Sequence, residues 1–245
     1  MKRIALLLLL VTVLLGGVLH VARQGHEELP PPTDLADACT IRDERPGWYR
    51  ATRAAARKWD VPPSTMLAIV WRESSFRAQA RPPRKEGWWI FEGKPISTAY
   101  GFSQALDGTW GWYLDETGAE DARRDDYAHA IDFVGWYMDK SRDTLGFAGI
   151  DAREHYLAYH QGHGGYRAGR WRQIGWLKKA AGAVDARARL YDAQLFECDS
   201  LHAAERSVRR SPLPRLHPQR GWEAPLPVRK PDPIPRIASL MAETE

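Results

Sequence analysis

The chain has 245 residues, enough for one catalytic domain with tails or for two small domains. Hydrophobic residues make up 44% and charged residues 27%, a globular balance that excludes a collagen, a low-complexity chain and a polytopic membrane protein. The 35 Lys+Arg against 31 Asp+Glu leave a net charge of +4, which leans slightly toward an anionic partner such as a membrane surface or a cell-wall polymer and is too small to argue for nucleic acid.

Residues 1–22 read as an export signal, because Lys2 and Arg3 precede an uncharged apolar run from Ile4 to Leu19. The sequence Leu19-His20-Val21-Ala22 is a poor cleavage site. The expectation is therefore a periplasmic protein anchored in the inner membrane by residues 4–22, with a cleaved secretory signal as the alternative. Residues 23–38 contain three consecutive prolines and read as a linker. Export places Cys39 and Cys198 in an oxidising compartment, and as the only two cysteines they form one possible pair. A disulfide there would tie together the ends of one domain over 39–198. Residues 199–245 hold 8 of the 17 prolines and read as a disordered, mildly basic tail.

Between Ile96 and Ser211 there is no proline, which suits helices, since an interior proline costs about 3 kcal/mol. The patterns predict helices over Trp48 to Trp59, Pro63 to Glu73 and Asp107 to Thr117. They continue with Tyr127-Ile131-Val134-Met138, with Asp151 to His160, and with a long stripe from Ile174 to Leu195 at spacings of three and four. No convincing period-two run occurs. The fold class is all-α, a bundle of about five to seven helices. Trp59, Trp136 and Trp176 fall within helical apolar patterns and are assigned to the core.

Several chemistries are set aside. Two distant cysteines do not make a zinc cluster, and there is no H-E-x-x-H, P-loop or G-x-S-x-G. His155, His160 and His163 lie close in sequence, but surface or hydrogen-bonded roles are commoner for such histidines than a metal site. The informative stretch runs from Met66 to Phe76, where an apolar helix reaches Glu73 and stops at serines. Glu73 shares a helical face with Ile69 and Val70, so its carboxyl either loses hydration and gains the raised pKa that a general acid needs, or merely ends the helix and faces water. The residues alone leave both open, and solvated acids at helix ends are the commoner case.

Glu73-Ser74-Ser75-Phe76 resembles the E-S-x-F motif of the family 1 lytic transglycosylases, whose soluble-lytic-transglycosylase-like domain has a lysozyme-like fold. Ala99 to Gln104 (AYGFSQ) resembles the family's A-x-G-L-M-Q element, and Ala158 to Gly162 (AYHQG) its A-Y-N-x-G element. The resemblance covers about residues 46–195. Ser103 stands where the family has Met and His160 where it has Asn, and the stretch from Arg81 to Thr98 is longer than the usual connection.

The resemblance implies cleavage of the MurNAc-β-1,4-GlcNAc bond of peptidoglycan glycan strands with a 1,6-anhydromuramyl product, Glu73 acting as acid and then base. It implies no cofactor and no metal. Ser74, Gln104, Tyr159 and His160 would line or support the cleft, with Tyr159 orienting Glu73 or the sugar's acetamido group. Trp88 and Trp89 would either stack on the glycan or pin down their own loop. Two alternatives stand beside this reading. A hydrolytic muramidase or chitinase on the same fold would need a second carboxylate, sought first at Asp107, Asp115 or Glu116. A catalytically silent glycan-binding module is the other.

Overall fold

Proline and aspartate set where the helices begin. A computed structural model describes residues 29–83 and 96–210, for 202–210 the backbone only. The described residues form seven α-helices: α1 Ala38–Glu44, α2 Pro46–Trp59, α3 Pro63–Ser74, α4 Asp107–Thr117, α5 Tyr127–Leu145, α6 Ala152–Arg167 and α7 Gly175–Arg210, with a 3-10 turn at Arg170–Gln173. Pro46 and Pro63 occupy first helical positions, where the missing N–H has no helical partner to lose. Asp37, Asp126 and Asp151 cap α1, α5 and α6 by accepting from backbone N–H groups of the first turn. Gly118 and Gly146 end α4 and α5 in the left-handed conformation. No strand forms among the described residues, whose one isolated bridge joins Tyr100 and Ala105. The chain is mainly helical.

Helix α5 is the hub and packs against α2, α3, α4 and α6. That explains its composition: Ile131, Phe133, Val134, Trp136, Tyr137 and Met138 are all buried, so it is apolar on nearly every side. Helix α3 is similar, with Met66 to Val70 without exposed surface. Beneath them Trp48, Phe76, Phe102 and Tyr127 form one aromatic cluster, with Trp48 and Tyr127 stacked at 4.6 Å and Phe102 edge-on to both at 5.2 Å.

The ends of the domain are fastened together. Cys39 and Cys198 are disulfide-bonded, with Cα atoms 6.1 Å apart, linking α1 to α7. Beside the bridge, Arg42, Arg53 and Tyr49 all donate to Asp199, and the Tyr191 hydroxyl donates to the Leu35 carbonyl. Helix α7 thus runs past the boundary set at residue 198, and Asp199 is one of its tethering groups rather than part of a tail. One compact unit ends at Ala204 and takes in α1 to α6 and most of α7.

Among the described residues no helix is long and apolar enough to cross a membrane. The expected anchor at residues 4–22, the linker up to residue 28, Trp88, Trp89 and the sequence beyond Arg210 lie outside the described residues. One core assignment is corrected. Trp136 is buried and Trp59 partly so, but Trp176 is 56% exposed at the first turn of α7, because its position precedes the apolar stripe that begins in the core at Leu177.

Candidate active site

A cleft of about 400 Å³ opens where α3, α4, α5 and α6 meet the segment 97–106. Glu73 lines it from the last turn of α3, Gln104 and Ala105 from the segment, Phe133 and Tyr137 from α5, and Tyr159 to Gly162 from α6. The E-S-S-F, A-Y-G-F-S-Q and A-Y-H-Q-G elements, far apart in sequence, therefore form the walls of one cavity.

Strained backbone builds those walls. Of the four described non-glycine residues with positive φ, three are Ser75, Phe76 and Gln104. Two consecutive left-handed residues, Ser75 and Phe76, turn the chain sharply just after Glu73, at a cost of about 1–3 kcal/mol each. Burial of Phe76 in the aromatic cluster holds the turn in place. Gly101 has φ +80°, and a Cβ on it would lie 2.0 Å from the Arg124 carbonyl oxygen. Only glycine fits, since the chain there lies against the Arg124 backbone. In α6 the helical path breaks at Gly162 (φ 69°, ψ 158°), a region reserved for glycine, and the break sits on the cleft wall.

Glu73 keeps part of its side chain open to the cleft while protein encloses its carboxyl. Loss of hydration raises its pKa from the ordinary carboxylate value to about 7, against the opposing effects of the Tyr156 hydroxyl, which donates to it, and of the Arg72 guanidinium nearby. At neutral pH such a carboxyl holds its proton about half the time, which suits a group that must give and then take one. It is the one carboxylate that lines the cleft among the described residues.

The other expected residues divide. Gln104 is in place: its amide nitrogen donates to the Ala80 and Gly101 carbonyls at 2.8 and 2.9 Å, which fixes the amide's orientation and leaves its carbonyl oxygen as an acceptor. Tyr159 lines the cleft, but its hydroxyl donates to the Ser103 carbonyl at 2.6 Å, so it braces the two walls and does not hold Glu73. Burial is the main cause, and the Glu73 charge a further one, keeping that phenol well above its usual pKa. His160 lines the rim, and burial, helped by Arg72, lowers its pKa, so the ring is neutral in the neutral range. Ser74 is corrected: it is buried, outside the cleft lining, and its hydroxyl donates back to the Val70 carbonyl one turn earlier. Ser103, in place of the family's Met, is fully buried with its hydroxyl unpartnered.

Tyr156 is the residue that sequence reasoning passed over. It lies one turn before Tyr159 and His160 on α6, and that spacing alone could have suggested a shared face. Tyr137 was also missed as cleft lining. Its ring stacks on His163 at 4.6 Å, and burial pushes its hydroxyl up to about 12.

The candidate second carboxylates are engaged elsewhere. Asp107 pairs with Arg124 at 2.8 Å, and Glu116 accepts from Trp112, Trp136 and Lys140. Asp115 is exposed on α4, and none of the three lines the cleft. The histidines diverge in the same way. His163 meets the Ser141 hydroxyl at 2.9 Å, and His155, which burial takes down to about 4, meets the Gly149 carbonyl at 3.3 Å. Among the described residues no group of three His, Cys, Asp or Glu could hold a metal ion.

No curated protein matches the chain. The family described as the transglycosylase SLT domain matches residues 5–198, which takes in all three sequence elements, every described wall of the cleft and both cysteines. The chain belongs to the transglycosylase SLT domain family.

Proposed function

We propose that the protein is a peptidoglycan lytic transglycosylase of lysozyme-like fold, with Glu73 as its single acid and base. The observation that carries this reading is a desolvated Glu73, with a pKa near 7, as the one carboxylate on the cleft among the described residues. In the first step protonated Glu73 gives its proton to the oxygen of the MurNAc-β-1,4-GlcNAc bond, and that bond breaks as positive charge develops on the muramyl ring. The sugar's own acetamido group stabilises this charge, so a second protein carboxylate is not needed. Glu73, now ionised, takes the proton of the muramyl C6 hydroxyl while its oxygen closes on C1. The product is a 1,6-anhydromuramyl end, Glu73 is protonated again, and no water is consumed.

Tyr156 serves both steps by donating to the carboxylate form of Glu73, which keeps the raised pKa from climbing out of the working range. The Gln104 carbonyl oxygen is left to accept from a sugar hydroxyl or amide. Tyr159 sets the distance between α6 and the segment carrying Gln104 by its bond to Ser103. A hydrolase would need a carboxylate to activate water, and Asp107, Asp115 and Glu116 give that alternative no support. The apolar run after Lys2 and Arg3 further supports a periplasmic site of action at the inner-membrane face, where peptidoglycan lies.

The test is to incubate the full chain and a Glu73→Gln variant with peptidoglycan and weigh the released muropeptides. Anhydromuramyl products from the wild type alone support the proposal. Products heavier by one water would mean a hydrolase, and no products with retained wall binding would mean a glycan-binding module.

A further inference from the structure

Trp176 is the one exposed large aromatic that adjoins the cleft among the described residues and that neither the fold nor the proposed chemistry uses. It stands 56% exposed at the first turn of α7, where a tryptophan gives up apolar burial without an internal return. Its ring meets that of His160 edge to face, with centroids 5.0 Å apart and planes at 78°. His160 in turn lines the cleft and tilts against Tyr156, the residue that donates to Glu73. An unbroken aromatic path therefore leads from beside the catalytic carboxyl to the open surface.

We propose that Trp176, set by His160, is a stacking platform for a further pyranose of the glycan strand, beyond the two sugars joined at the bond that Glu73 attacks. This rests on the peptidoglycan reading above and extends it by a subsite. An indole face presents an apolar plane the size of one sugar ring, and the apolar face of a β-linked pyranose matches it. A protein partner is the poorer fit, because a stable interface needs about 800 Å² on each side and one tryptophan supplies a small part of that. His160 is suited to the role as a neutral ring. With the imidazolium form disfavoured by burial and by Arg72, it packs against the indole without the tight hydration that a charged ring would keep. The exchange of the family's Asn for His at this position thus has a structural use: it supplies the ring against which Trp176 is fixed.

The experiment measures binding apart from turnover. The full chain carrying Glu73→Gln is titrated calorimetrically with chitohexaose, a β-1,4 hexamer of N-acetylglucosamine, alone and with Trp176→Ala or Trp176→Tyr added. The expected result is about a tenfold loss of affinity with alanine and recovery of most of it with tyrosine. In the Glu73 background the alanine change raises KM on peptidoglycan and leaves kcat unchanged. Trp176 is outside the core, so the variants keep the fold, and circular dichroism checks this. Equal affinity of the parent and the alanine variant overturns the platform and leaves the proposed function standing. Failure of the Glu73→Gln parent to bind chitohexaose also overturns the platform, and failure to bind peptidoglycan as well overturns both.

Discussion

Glu73 and Glu116 hold equivalent places, each the penultimate residue of its helix, yet the two regions treat a carboxylate in opposite ways. The C-terminal end of a helix disfavours negative charge in both cases. At Glu116 the surface answers with donors: Lys140 at 2.8 Å, Trp112 at 3.0 Å and Trp136 at 3.1 Å. The lysine's hydrogen bond leads in drawing that carboxyl below its ordinary range. At Glu73 loss of hydration dominates, one phenol and a neighbouring guanidinium do not offset it, and the pKa climbs to about 7. The same residue type at the same helical position is held as an anion in one region and has its pKa raised to about 7 in the other. Position in a helix does not make a catalytic acid; the balance of donors against desolvation does.

The comparison breaks most sharply by removing the Glu73 carboxyl. Glu73→Gln is expected to lower the rate of muropeptide release by about 10²–10⁴-fold, the usual contribution of acid–base catalysis, measured from product mass spectra over time. The same change acts on stability with the opposite sign. Because the folded pKa lies above the ordinary value of 4.5, the folded state binds the proton more tightly, and this group's contribution is full below about pH 4.5, declines toward 7 and is lowest above it. Glu73→Gln removes that decline, so its stability advantage over wild type in denaturant unfolding should grow between pH 5 and pH 8, by at most about 3 kcal/mol, since the side chain still reaches the cleft.

Moving a wall should cost as much without touching the acid. Gly101→Ala puts a Cβ against the Arg124 carbonyl at positive φ, and a loss of at least about 3 kcal/mol in denaturant unfolding is expected, with reduced activity because Gln104 rides on that turn. Tyr156→Phe sharpens the comparison rather than breaking it. Without the donated hydrogen bond the Glu73 carboxylate is less favoured, and the basic limb of the pH–rate profile should move up by about one pH unit while the fold persists. Glu116→Gln should give the smallest effect. Activity stays at the wild-type level, and thermal melting shows a slight loss from the exposed Lys140 pair.

Much of this was legible in the sequence, for identifiable reasons. Helix α4 was read at its true limits, Asp107 to Thr117, and α3 to within one residue, because proline and glycine punctuate them. Helix α1 was not read, since seven residues are too few for a period to declare itself and Asp37 is its chief local signal. Glu73 was singled out by the resemblance of Glu73-Ser74-Ser75-Phe76, since its place behind Ile69 and Val70 left a solvated acid open, and the disulfide came from the cysteine count. The partners were harder. Tyr156 and Tyr159 are one turn apart on α6, and which of them meets Glu73 depends on where α3 and the segment 97–106 cross that helix, a tertiary fact that periodicity does not carry. Trp176 misled for a different reason: it stands beside the stripe of α7 rather than on it, so the first turn buries Leu177 and leaves the neighbouring indole exposed.

The proposed chemistry needs a Glu73 carboxyl whose pKa burial has raised into the working range, and the most direct test is to titrate that carboxyl itself. Carbon-13 NMR of glutamate-labelled protein, with Glu73→Gln used to assign the resonance, would follow its ionisation from pH 3 to pH 9. The expected midpoint for Glu73 is about 7. A midpoint near the ordinary 4.5 would mean that Glu73 is solvated and ionised in the cleft, and would contradict the proposed chemistry.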